Sequence, residues 1–264
     1  MDIDIRKNLP PKPSRIKLYS TIIFIALIII SSAWFAGFNV IELITDFTNG
    51  FRMIKALFFP PAWDYFDNTL GPLLETIRMA IVGSTVGAFF AIPAAILAAD
   101  NFVHNKIVNK VARFILNIFR TIPALVLASI FVAVFGLGNF SGTLALAIFS
   151  FGLISKMTYE SIESIDMGQV EATTSVGGSK MEILRYSIIP QVLPQFMSYT
   201  LYAFEVNVRA AAVLGYVGAG GIGQIYQYNS NLRNFDRVGM IIIISFFAVL
   251  IIDTISSAIR RRLV

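Results

Sequence analysis

The chain has 264 residues, of which 56% are hydrophobic and 14% are charged, and its formal net charge is +5. Soluble globular proteins are about 45–50% apolar and about 25% charged, so this composition excludes an ordinary soluble protein and indicates one membrane domain. The chain contains no cysteine and a single histidine, His104, which excludes disulfide frameworks, thiolate chemistry and multi-histidine metal centres.

Windows of about 19 residues predict an all-α integral membrane protein with six transmembrane helices. The first helix follows a basic segment, residues 1–17, and is too long for the apolar part of a signal peptide, which has about 7–15 residues. We therefore expect an uncleaved membrane helix at this position. The six predicted spans are Leu18–Gly37, Thr76–Ala99, Thr121–Leu137, Ser141–Met157, Phe196–Val217 and Val238–Ile259.

Lysine and arginine residues are unevenly distributed between the loops that join these spans. Most of them fall on one side of the membrane if residues 1–17 are cytoplasmic, and an excess of basic residues marks cytoplasmic loops. Six spans then place both termini in the cytoplasm. Residues 18–264 form a single transmembrane domain in this interpretation, and the basic residues are a membrane signature that argues against nucleic-acid binding.

Two segments outside the predicted spans are amphipathic. Residues 38–75, on the predicted external side, contain scattered aromatic residues and a proline pair, Pro60-Pro61, that would interrupt a helix lying on the membrane surface. Residues 111–120 have the same character on the predicted cytoplasmic side. Both segments are expected to contact membrane lipid.

A cytoplasmic loop, residues 159–195, joins the fourth and fifth predicted spans. Its polar segment Asp166–Val176 favours a helix, and the two glycines that follow would end that helix in a left-handed conformation. Ser179 and Glu182 then match the S-x-x-E capping box that begins a new helix. The sequence thus predicts two short helices joined by a sharp bend, a shape suited to docking into a groove on another protein.

This loop resembles the EAA loop of binding-protein-dependent ABC importer permeases. In that pattern Glu-Ala-Ala is followed by three residues, a glycine, nine residues and Ile-x-Leu-Pro. The chain departs from the pattern at Thr173, Ser187 and Ile189, which stand at positions of alanine, isoleucine and leucine. The resemblance implies that the loop docks on an ATPase subunit. The residues assigned to this coupling role are Glu171, Ala172, Gly177, Gly178 and Pro190.

The resemblance extends from about Leu70 to the C-terminus. The segments RTIP at 120–123, GLGNFSG at 136–142 and the glycine-rich stretch at 207–223 are similar to the phosphonate-type branch of these permeases. This implies a type I importer permease fold, a bacterial inner-membrane location and transport of a small oxyanion, namely phosphonate, phosphate or phosphite. Permeases for methionine or quaternary amines share the loop and remain the alternative.

The resemblance also implies the partners, which are a second permease copy, two ATP-binding cassette subunits and an external substrate-binding protein. The chain has no G-x-x-x-x-G-K-[ST] phosphate loop, so ATP and Mg are expected on the ATPase subunit and no cofactor is expected on this chain. An ATP-independent transporter is a less favoured alternative. A membrane-embedded enzyme is disfavoured because acid, base and metal-ligating residues are scarce.

The end of the fifth span and the glycines after it are predicted to form the translocation path or its gate. Glu205 and Arg209, four residues apart on one helix face, either pair with each other or leave Arg209 as a bidentate partner for an anionic substrate. Residues 218–223 also fit G-x-G-x-x-G, but without a preceding strand a dinucleotide site is rejected in favour of close helix packing or gating. The assigned residues are Glu205, Asn207, Arg209, Gly218, Gly220, Gly221 and Gly223.

Overall fold

The computed structural model describes residues 15–103 and 105–263, so His104 and most of the predicted N-terminal segment lie outside the described residues. The described chain is 86% helical and contains no strand, which confirms the all-α fold class. These two described ranges contain eleven α-helices, in chain order α1 Ile16–Phe35, α2 Val40–Phe58, α3 Phe66–Ala98, α4 Lys106–Thr121, α5 Ala124–Phe135, α6 Asn139–Glu163, α7 Met167–Ser175, α8 Lys180–Ile183, α9 Ile189–Leu214, α10 Ile222–Asn231 and α11 Phe235–Leu263.

The chain divides into two compact units at residue 55. The described part of the first unit contains α1, which coincides with the first predicted span, and most of α2, which exposes the aromatic rings of Phe47 and Phe51. The second unit contains the remaining helices. α2 ends just before Pro60-Pro61, as the proline pair predicts, but α3 begins at Phe66 rather than at Thr76. About the last quarter of the predicted surface segment, residues 66–75, is therefore part of a long helix.

Length and apolar composition identify four helical segments that could cross a membrane, namely α1, the segment Trp63–Ala98 that includes α3, α6 and α11. α4 and α5 together provide a fifth span if the pair, bent by 86°, is counted as one. α5 alone has 12 residues and extends about 18 Å, too little for about 30 Å of hydrocarbon. α9 is not among these segments because polar residues such as Glu205 and Asn207 lower its apolar character. A count of six spans remains a prediction.

α6 lies at the centre of the second unit, between α3, α5 and α9. Small residues allow the closest approach, since a Cβ atom on Gly87 of α3 would come within 2.6 Å of the Ser150 Cβ atom on α6. Membrane helices associate through close packing of this kind, because lipid provides no hydrophobic force between helices. The α3–α6 contact is thus the rigid core against which the other helices are positioned.

A cluster around Arg113 ties α3, α4 and α6 together at the end of the bundle where α7 begins. The guanidinium lies 3.2 Å from Asp100, hydrogen-bonds Glu163 and stands 5.0 Å from the centre of the Tyr159 ring. The same Glu163 carboxylate accepts a 2.9 Å bond from the Asp100 backbone N–H. These contacts hold the C-terminal end of α6, where the predicted coupling loop begins, against α3 and α4.

Candidate coupling loop and translocation path

α7 is closed at its start by a polar side-chain cap and at its end by a glycine stop. The Asp166 carboxylate accepts a 2.9 Å hydrogen bond from the Gly168 N–H at the start. At the other end Gly177 adopts φ +83°, and the Gly178 N–H donates to the Thr173 carbonyl oxygen at 3.0 Å. This left-handed glycine stop confirms the predicted bend, and α7 begins and ends within one residue of the predicted helix.

The capping box predicted for α8 is also confirmed. The Ser179 N–H donates to Glu182 Oε2 at 2.7 Å, and the Glu182 N–H donates to Ser179 Oγ at 3.4 Å. Hydrogen bonds from the side chain and then the backbone of Ser179 lower the pKa of the Glu182 carboxyl group. α8 continues through a π-helical turn, Leu184–Ile188, into α9.

Pro190 lies in the first turn of α9, directly after the π-helical turn, where its missing N–H removes one donor from a continuous helix. The disturbance predicted from this proline takes the form of the π-turn just before it, and the helix is not broken. Pro190 is exposed but lies outside the α7–α8 bend, so the structure separates it from the other four residues assigned to coupling.

The bend presents an exposed surface that mixes charge with large apolar side chains. Glu171, Ala172 and Gly177 are all exposed. Val176 and Met181, on either side of the glycines, are 84% and 70% exposed. The sequence pattern identified the charge and the bend but gave no indication of these two apolar side chains.

Polar contacts that the sequence did not predict hold the inner side of the loop. Gln191 of α9 accepts a 3.0 Å hydrogen bond from the Asp166 backbone N–H through Oε1. Its Nε2 donates to the Ser187 carbonyl oxygen at 2.8 Å. The Thr173 and Ser187 hydroxyl oxygens lie 2.7 Å apart. The only available signal was that Thr173 and Ser187 are departures from the EAA pattern.

Glu205, the buried carboxylate of α9, pairs mainly with an arginine of α11 and not with the predicted partner, Arg209. Its Oε1 lies 2.6 Å from Nη2 of Arg260 on α11, while Nη2 of Arg209 lies 3.9 Å from Oε2. The expected Glu205–Arg209 pair is therefore the longer contact. Sequence spacing could not reveal Arg260, because that pairing depends on how α11 packs against α9. The Arg209 side chain is 50% exposed.

Asn207 faces the helix bundle. It is fully buried, and its Nδ2 donates to Ser150 Oγ on α6 at 2.7 Å. Its Oδ1 has no hydrogen-bond partner among the described residues. Within this chain, Asn207 forms a contact between α9 and α6. It does not line the cavity beside Arg209 that is described below.

The glycine-rich turn after α9 is compact. Gly218, Gly220 and Gly221 all have φ between +69° and +84°, a conformation that other residues rarely adopt. The turn is held to two other segments, since the Gly138 N–H donates to the Gly218 carbonyl oxygen and the Thr76 Oγ1 accepts from the Ile222 N–H at 2.8 Å. A helix and not a strand precedes it, in agreement with the rejection of a dinucleotide site.

A cavity of about 480 Å³ lies between α3, α9, α10 and α11, beside Arg209. Most of its wall is apolar, and Gly223 is the only other predicted path residue on it. Within the described ranges, no cluster of histidine, cysteine, aspartate or glutamate side chains could hold a metal ion. The cavity offers the Arg209 guanidinium group beside apolar surface and the side chains of Tyr216 and Tyr226, an arrangement suited to binding.

A multi-pass helical bundle with an exposed, glycine-bent helix pair between α6 and α9 has the features of an importer permease subunit. The chain belongs to the family described as binding-protein-dependent transport system inner membrane component, which it matches over residues 91–264. It is accordingly a multi-pass inner-membrane transport subunit and not an enzyme.

Named relatives agree with this family. The phosphite transport system permease protein PtxC of Stutzerimonas stutzeri is 33% identical over 89% of this chain and 86% of its own length. The phosphate-import permease protein PhnE of Mycolicibacterium smegmatis is 40% identical over 72% of this chain, which spans 36% of that protein. An inward-facing structure of the MetNI methionine ABC transporter has the same fold, with a TM-score of 0.68 and 24% identity over 77% of this chain and 99% of that one.

Proposed function

We propose that this chain forms the translocation path of an ATP-driven importer for a small phosphorus oxyanion, phosphonate, phosphate or phosphite. Relatives named for phosphite and phosphate transport, at 33% and 40% identity, support this substrate class. Methionine or a quaternary amine is the weaker alternative, because the relatives named for methionine and carnitine transport are only 26% and 29% identical. The working assembly contains two copies of this chain, two ATPase subunits that bind ATP and Mg, and an external binding protein.

The single observation that carries the proposal is the exposed α7–α8 bend. Its geometry, a capped helix followed by a left-handed glycine stop and a capping box, fixes the shape of the EAA-like segment. The protruding Val176 and Met181 supply apolar anchors, and Glu171 supplies a charge that could pair with a basic residue of the ATPase. Closure of the two ATPase subunits would move both loops of the dimer, and differential nucleotide binding to the two conformations drives that movement.

Reconstitution tests this proposal directly. Proteoliposomes would contain the permease with the ATPase subunit and the binding protein encoded beside it. We expect uptake of labelled phosphite, phosphate or methylphosphonate only when all three components and ATP are present. Uptake without the ATPase, or uptake of methionine or glycine betaine instead, would show that the proposal is wrong. Glu171→Lys is expected to reduce ATPase binding and uptake together, while membrane insertion stays normal.

The direction of insertion can be measured with no background, because the natural chain contains no cysteine. Both termini are proposed to be cytoplasmic, with α7 on the same side. Val176→Cys should then react with a membrane-impermeant maleimide only in inside-out vesicles. Phe51→Cys, in the proposed external segment, should react only in right-side-out vesicles. The reverse labelling pattern would refute the proposed orientation.

Arg209 is the proposed contact for the anion. Its side chain is half exposed, it lines the 480 Å³ cavity, and Glu205 is held more closely by Arg260. Hydrogen bonds to charged groups contribute about 1.5–3 kcal/mol, so we expect Arg209→Gln to reduce uptake by about tenfold or more. Arg209→Lys, which keeps the charge, should retain part of the activity. Arg233→Gln, at an exposed arginine outside this cavity, is the control and should transport normally.

A further inference from the structure

A cluster of two hydroxyl groups and one carbonyl oxygen lies beneath α7. Thr173 Oγ1 is 2.7 Å from Ser187 Oγ, and these hydroxyls lie 3.0 and 3.1 Å from the Gln169 carbonyl oxygen. One hydroxyl can donate to the other while the second donates to the carbonyl, so both hydrogens are used. Ser187 is 1% exposed, which shields these hydrogen bonds from competition with water.

α7 has few other attachments to the rest of the protein. None of its residues is buried. Near its start, Gln191 holds the Asp166 backbone and Val170 packs against the apolar cluster around Leu116. The Thr173–Ser187 contact is the last of these attachments before the glycine bend. The exposed half of α7 that leads to Val176 therefore depends on this contact for its position relative to α9.

Ser187 lies in a π-helical turn that runs directly into α9. α9 carries Glu205, Asn207 and Arg209. Interruptions of this kind often mark functional sites, because the wider turn can adjust its hydrogen bonding. A contact from α7 to this turn provides a direct mechanical connection from the exposed loop to the helix of the proposed path.

We propose that Thr173 and Ser187 are positioning residues that transmit the movement of α7 to α9 during transport. The inference rests on the proposed docking of an ATPase on the loop. Two independent departures from the EAA pattern meet in this contact, so a hydrogen bond stands where the pattern has alanine and isoleucine. Without the pair, force applied at the bend would be absorbed by local movement of α7 and would not displace α9.

The test compares two adjacent threonines of α7. Thr173→Val removes the hydroxyl without changing the side-chain shape. Thr174→Val is the matched control, because among the described residues Thr174 Oγ1 donates to the Val170 carbonyl oxygen of its own helix and to no other segment. The measurements are molecules imported per ATP hydrolysed in proteoliposomes, and co-purification of the ATPase as the readout of docking.

We expect Thr173→Val to lower import per ATP by about threefold to tenfold, as the loss of one partly buried hydrogen bond predicts, with ATPase co-purification unchanged. Thr173→Ser should restore coupling, and Thr174→Val should leave it unaltered. Ser187→Ala should reproduce the defect, and the double variant Thr173→Val with Ser187→Ala should be no worse than either single variant, because the pair acts as one unit.

Three results would overturn the inference: equal coupling in the Thr173→Val and Thr174→Val variants, additive defects in the double variant, or a loss of ATPase co-purification in Thr173→Val. The last result would assign the pair to loop folding. Failure of the proposed function is recognised separately. In that case Glu171→Lys would leave both ATPase co-purification and uptake unchanged.

Discussion

Substitution of Gly177 by valine isolates the role of the bend between α7 and α8. Gly177 has φ +83°, and a Cβ atom at this position would have no heavy atom within 4 Å. Steric contact with neighbours therefore contributes nothing, and the whole cost arises from the backbone. For a residue with a Cβ atom, the left-handed conformation costs about 1–2 kcal/mol, and a β-branched side chain lies at the upper end.

A cost of this size lowers the ratio of native to non-native bend by a factor of about 5–30. We expect import to fall by up to that factor, because only the native bend holds Val176 and Met181 in the arrangement described above. The amount of protein inserted in the membrane should stay normal, since the bend lies outside the membrane helices. Two measurements test the variant: binding of the ATPase to the detergent-solubilised permease, which reports docking, and ATP-driven uptake, which reports import.

Two control variants make this prediction specific. Gly177→Asn should recover much of the lost activity, because asparagine tolerates the left-handed conformation. Gly71→Val makes the same change at a helical glycine that also has open space around it, and it should transport normally. If Gly177→Val imports at the full rate, or if Gly71→Val is equally impaired, the bend does not set the docking geometry and the reasoning is refuted.

Two further predictions concern charged groups. Arg260→Gln removes the close partner of buried Glu205 and is expected to destabilise the bundle by up to about 3–5 kcal/mol. The detergent-solubilised variant should then aggregate at a lower temperature, whereas Arg261→Gln, at an exposed position, should change that temperature little. Equal effects of the two variants would contradict the pairing. The folded-state pKa of Glu182 is lowered, so its capping contribution is complete above the ordinary glutamate pKa of about 4.3 and is lost as pH falls through the folded-state value. Hydrogen exchange at the Ser179 amide, corrected for the intrinsic rate, should therefore accelerate in acid, and Glu182→Gln should abolish that dependence.

The elements that the sequence predicted correctly are those fixed by local chemistry. The capping box at Ser179, the glycine stop at Gly177 and the limits of α7 each depend on residues within a few positions of one another. α1 also coincides with its predicted span, because a continuous apolar run is sufficient to define a membrane helix.

The features that were missed depend on packing between distant segments. Arg260 reaches Glu205 only because α11 lies beside α9, and Thr173 reaches Ser187 only because α7 folds back on the π-turn. The start of α3 was placed too late, because charged residues near Glu75 lower the local hydropathy although the helix continues through them. Neither spacing nor composition contains this information.

The 86° bend between α4 and α5 determines how the chain can move relative to the lipid. If α5 stands along the bilayer normal, the 16-residue α4 lies in the membrane plane and covers about 24 Å of it. Any piston-like displacement of α5 toward the opposite leaflet would then drag the ammonium groups of Lys106 and Lys110 into hydrocarbon. In that orientation the bilayer would resist such a displacement, and we expect the permease to open by tilting and sliding of its helices instead of by translation through the membrane.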